Sequence, residues 1–110
     1  MEALHRLAAE RGRLIGESLT ATSGTPHSIE KALVMAGSAL AEHGYEPRAL
    51  PHRIELVNCP FHSLAREHTE MVCGMNLALI DALVGASAPE TLSCSLEPHA
   101  DRCCVVLEAR

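Results

Sequence analysis

Aromatic residues are nearly missing from this chain, with no Trp, one Tyr and one Phe in 110 positions. The core must therefore be assembled from Ala, Leu, Val, Ile and Met. Positive charge is also short: 9 Lys and Arg stand against 14 Asp and Glu, a net charge of −5. That balance argues against these residues gripping a phosphate backbone by themselves. No run of about 18 apolar residues offers a membrane span; the longest, Met71 to Val84, is interrupted by Asn76 and Asp81. The opening stretch Met1–Leu14 is charged throughout, unlike a secretory leader. A cytoplasmic location away from any membrane is the expectation, and there thiols stay reduced.

What is present is ordinary globular composition, 47% hydrophobic and 21% charged. The length suits one domain, residues 1–110, that removes roughly two-thirds of its unfolded surface from water. Five Cys are an odd number and a dense supply for a reducing compartment, which points to metal or redox chemistry before a disulfide framework. Seven His add further donor nitrogens.

Spacing divides the chain into elements. Leu4, Leu7, Ala8, Leu14, Ile15 and Leu19 recur at helical intervals, so a helix is expected from Glu2 to about Leu19, with residues 20–26 as loop. A second helix starts near Thr25-Pro26 or Ser28, carries Ile29, Leu33, Ala36 and Leu40 as its apolar stripe, and stops at Gly44. Tyr45–Leu50 and Arg53–Asn58 flank a Pro51-His52 turn and read as a β-hairpin. A short helix is expected over Phe61–His68. A longer one begins at Thr69, is apolar around most of its girth, and stops at Gly85. Met71, Met75 and Leu79 on that helix read as core. The last piece is a hairpin turning at His99–Asp101. The expected fold is α+β, a mainly antiparallel sheet of two hairpins with helices packed on one face and a long central helix.

The chemistry lies in sulfur and imidazole. Cys59 and His62 form a C-P-F-H corner at a strand end, where two donors three residues apart can hold one ion. Zinc takes four such donors at about 2.0–2.3 Å in a tetrahedron. Cys73 stands near the start of the long helix. Period-2 alternation sends Cys103 to the face of Val105 and Leu107, and Cys104 to that of Val106 and Glu108, so Cys103 is the preferred inward ligand. Cys104 and Cys94 are reserve donors, with Cys94 also readable as a small core residue between Leu92 and Leu96. The remaining His, at 5, 27, 43, 52, 68 and 99, read as solvated.

Three stretches in order, L-V-N-C-P-F-H-S-L-A (56–65), M-V-C-G-M-N-L-A-L (71–79) and R-C-C-V-V-L (102–107), resemble the C-terminal domain of ArsR-like winged-helix transcriptional regulators. In particular they resemble the actinobacterial group related to the iron–sulfur repressor of cluster-assembly operons. The segments A-L-H-R-L-A-A-E-R-G (3–12) and G-Y-E-P (44–47) extend the resemblance over most of the chain. It implies that Cys59, Cys73 and Cys103 ligate a zinc ion or an iron–sulfur cluster. Gly85–Ala88, where some members carry a further cysteine, holds none, which leaves the fourth donor among His62, Cys94, Cys104 and an exogenous ligand. The layout is similar to 4-vinyl-reductase-like sensory domains as well, which implies a related fold and a homodimer. The DNA-reading winged helix would lie upstream, outside these residues.

Two other functions compete with a metal-dependent sensory domain. One is a structural zinc domain that binds a partner or a small ligand. The other is a thiol enzyme using Cys59 beside His62. No orienting carboxylate or phosphate-binding glycine loop accompanies that pair, so a non-enzymatic role is expected.

Overall fold

The computed structural model describes residues 2–58, 67–97 and 104–110. Helix α1 (Glu2–Ser23) runs past Leu19 into the stretch expected as loop. The Thr20 hydroxyl donates to the Glu17 carbonyl at 3.0 Å, so a residue that often opposes helix is satisfied within it. The helix stops where Gly24 adopts a φ of 77°. Helix α2 (Ile29–Glu42) is capped by Ser28, whose Oγ accepts the Lys31 N–H at 3.2 Å.

Strands β1 (Pro47–Leu50) and β2 (Arg53–Leu56) form the first hairpin, joined by Pro51 and His52. His52 has a φ of 61°, the left-handed value of a type II turn after a proline. Helix α3 (Thr69–Ser87) passes through Gly85 instead of stopping there, and ends as the Ala88 N–H bonds the Val84 carbonyl at 2.7 Å. Gly85 keeps a negative φ, so nothing at that position breaks the helix. Strands β3 (Leu92–Leu96) and β4 (Val105–Ala109) complete an antiparallel sheet of order β1-β2-β4-β3. This is an α+β fold with helices packed on the sheet. The Phe61–His68 helix lies largely outside the described residues, and the His99–Asp101 turn wholly so.

One sheet face meets the helices. Ile54 and Leu56 of β2, Val105 and Leu107 of β4, and Leu92 of β3 pack with Ala32, Leu33, Ala36 and Leu40 of α2 and with Ile80, Leu83 and Val84 of α3. The other face carries charge in register. Arg48 pairs across the strands with Glu55, and Arg53 with Glu108. Arg53 also reaches Glu55 and, from beyond β3, Glu97. Val106 lies fully buried on that same face.

Helix α3 is central because it has neighbours on two sides, the sheet and α1. By length and composition alone it could cross a membrane; its packing buries Val72, Ile80, Leu83 and Val84 and covers Met71, Met75, Leu77 and Leu79 in part. Its contacts with α1 ascend together in sequence, His5 against Gly74, Gly12 against Leu79 and Gly16 against Leu83, so the two helices run parallel. They approach to backbone distance. A Cβ on Gly12 would overlap the Leu79 carbonyl oxygen, and one on Gly16 would lie 2.6 Å from that of Leu83.

Candidate thiol site

Cys73 occupies the second turn of α3 and packs, partly buried, against the core. Cys104 sits in a bend immediately before β4 and is itself a core residue, 7% exposed. The two are joined as a disulfide, with Cα atoms 6.1 Å apart and a sequence separation of 31. Central helix and closing strand thus meet through sulfur inside the apolar cluster.

That placement corrects the outward assignment of Cys104. Alternation holds only within a strand, and β4 begins at Val105. At Cys104 the chain bends, its carbonyl accepting the Glu97 N–H at 2.6 Å, and the side chain turns toward α3 instead of lying with Val106 and Glu108. Cys103, the preferred ligand from sequence, lies outside the described residues, as do Cys59 and His62. Asn58, the residue joined to Cys59, is described: its carbonyl accepts the Glu46 N–H at 3.2 Å. The antiparallel pairing of Glu55 with Val106 brings this trailing end of β2 to the end of the sheet where Cys104 enters β4.

Cys94 is not part of the pair. Its thiol donates to Asp81 Oδ1 at 3.4 Å, across from β3 to α3. Burial, then the charge of Asp81 and this hydrogen bond, push its pKa from 9.0 up to about 12. A thiol held in that state is neither a ready nucleophile nor a ready ligand.

His5 also departs from expectation. Its spacing in α1 suits a solvated side chain, but its Nε2 is buried without a hydrogen-bond partner, pressed against Gly74, the neighbour of Cys73. The parallel run of α1 along α3 places it there, which spacing within α1 could not reveal. A further buried pair, Tyr45 Oη donating to Asn76 Oδ1 at 2.6 Å, ties the loop after α2 to the middle of α3. Its signals in the sequence were the lone Tyr and the amide interrupting an apolar run.

Does the arrangement suit a metal? Reduced, Cys73 and Cys104 supply two convergent sulfurs, half of a tetrahedral set. Among the described residues no three His, Cys, Asp or Glu side chains gather into a metal-binding group. The remaining donors expected from sequence, Cys59, His62 and Cys103, belong to segments joined directly to Asn58 and Cys104.

No protein-family model matches the chain, and neither does any curated protein or solved structure at a significant level.

Proposed function

We propose that this chain is a non-enzymatic, metal-binding sensory and dimerisation domain of a cytoplasmic transcriptional regulator. Its parent would bind DNA through an upstream winged helix. The observation that carries the reading is the meeting of Cys73 and Cys104, thiols from distant segments that approach inside the core. With two of Cys59, Cys103 and His62 they would complete a site for zinc or an iron–sulfur cluster; the metal would supply a cross-link whose gain or loss resets α3 against β4. The chain's own part is to hold the thiolates, exclude water with Leu56, Ile80 and Val105, and pass a change in α3 to α1.

The sequence resemblance supports the regulatory half of the reading, and the acidic balance fits a domain that leaves DNA contacts to another module. Anaerobic purification under a phosphine reductant, followed by metal analysis and an absorption spectrum, tests it. Metal near one equivalent is expected, brown for a cluster and colourless for zinc. Cys73→Ser and Cys104→Ser should each lose most of it, while Cys94→Ser retains it. Absence of metal even after reconstitution with zinc, or with iron and sulfide, would sink the proposal.

A second reading is favoured by the disulfide itself. The pair would serve as a covalent strut, and the domain would bind a partner without metal. Metal-free protein whose Cys73 and Cys104 stay oxidised under a cytosolic glutathione poise would establish that alternative.

A further inference from the structure

The two edges of the sheet are not equally defended. At one edge, β1 begins with Pro47 and carries Arg48, two features that discourage another strand from joining. At the other, β3 has the sequence Leu92-Ser93-Cys94-Ser95-Leu96, without charge, proline or glycine. Among the described residues it pairs on one side only, with β4.

The backbone register shows which groups face outward. At one end of β3 the Glu97 N–H donates to the Cys104 carbonyl, and at the other the Arg110 N–H donates to that of Thr91 at 2.8 Å. Antiparallel alternation between these ends makes Ser93 and Ser95 the strand residues bonded toward β4. The backbone groups of Leu92, Cys94 and Leu96 therefore point away from it. The Leu92 N–H is taken by the Ala88 carbonyl at 3.1 Å. The N–H groups of Cys94 and Leu96, and the carbonyls of Leu92 and Cys94, form a template for a new strand.

We infer that this edge pairs with the same edge of a second copy, antiparallel about a two-fold axis at Cys94, joining the two sheets into one. The strand reads identically in both directions, which is what selects this occupant. A two-fold pairing sets Leu92 opposite Leu96 of the second copy, Ser93 opposite its Ser95, and Cys94 opposite its Cys94. No like charges meet, the serines can bond across the strands, and Leu96, 43% exposed in the single chain, gains an apolar neighbour. Each Cys94 N–H would reach the Cys94 carbonyl of the other copy, and each Leu96 N–H its Leu92 carbonyl. Five residues a side bury less than the ~1,200 Å² typical of stable interfaces, so the isolated domain should associate in the micromolar range or weaker. Attachment to a second dimerising module would raise the effective concentration.

This inference rests on the dimeric part of the proposed function and names its surface. Sedimentation of the full chain from about 10 μM to about 1 mM, with hydrogen–deuterium exchange on the same samples, tests it. The expected result is a monomer–dimer equilibrium in which the Cys94 and Leu96 amides slow in step with dimer formation. They should exchange about half as fast when half the chains are paired. Leu96→Pro removes an outward N–H without touching the β3–β4 ladder, and should be monomeric throughout with an unchanged far-ultraviolet dichroism spectrum. Should that variant misfold, exchange in the native chain decides alone. A chain that stays monomeric to about 1 mM, or a dimer whose Cys94 and Leu96 amides exchange as in the monomer, overturns the inference. Metal content of the same samples reports separately on the thiol site.

Discussion

Asn76 lies 2% exposed in the middle of a mostly apolar helix, and its side-chain oxygen is satisfied by the Tyr45 hydroxyl. A buried acceptor deprived of its donor bears its desolvation cost alone, about 1–3 kcal/mol. Tyr45→Phe should therefore destabilise the fold by about that amount, read as a lower urea midpoint with an unchanged slope. Cys94 yields a prediction of pH dependence. Its folded pKa is raised to about 12 from an unfolded 9.0, so between those values the unfolded chain has lost the proton that the folded chain retains. Stability from this group is intact below pH 9 and falls as pH rises toward 12. Comparing urea unfolding at about pH 8 and about pH 10.5, wild type should lose more stability than Cys94→Ser, which has no thiol to ionise in this range. Equal losses would show that Asp81 and burial do not hold the thiol protonated. At this scale the sequence was a partial guide. Cys73 lies near the start of α3 as its spacing indicates, but Cys104 was misdirected because alternation was extended one residue beyond the strand that obeys it.

Between elements, the α1–α3 contact depends on two residues with no side chain. An added methyl at Gly12 has no free space, since the obstacle is the Leu79 backbone and not a side chain that can swing aside. Gly12→Ala should cost about 1–3 kcal/mol or more, despite alanine's better helix propensity. Gly85, exposed in the last turns of α3 with nothing near its would-be Cβ, makes the matched control. There alanine should gain about 0.5–1 kcal/mol. Thermal unfolding of the two variants beside wild type checks the opposite signs. The element types followed from period and punctuation, as Ser28 and the Pro51-His52 turn illustrate. Boundaries were less legible: α1 extends to Ser23 and α3 to Ser87, and the Thr20 and Ser87 hydroxyls near those ends are satisfied within the helix by the Glu17 and Leu83 carbonyls. That α1 would rest on α3, and bury His5 against Gly74, is a tertiary fact that no local pattern encodes.

Across the whole molecule, the Cys73–Cys104 bond closes a long loop containing most of α3 and all of β3. Loop-closure entropy assigns such a link about 3–4 kcal/mol. Phosphine reduction in the presence of a chelator should lower the unfolding midpoint of the wild type, while Cys73→Ser, already without the link, should not respond. If the metal reading holds, zinc added to the reduced wild type restores much of the lost stability, because ligation constrains the same segments. A midpoint indifferent to both reductant and zinc would show that neither covalent nor coordinate linkage matters to the fold.

The sheet places β4, the final strand in sequence, between β2 and β3. On a ribosome, the first hairpin and helices α1, α2 and α3 leave the exit tunnel before the strand that must unite them. Until β4 emerges, β2 presents an open flank and the apolar underside of α3 lacks part of its floor. The sheet therefore cannot close until β4 has been made, and a chain truncated before Val105 would keep α1, α2, α3 and the first hairpin but leave β2 and β3 with no strand between them.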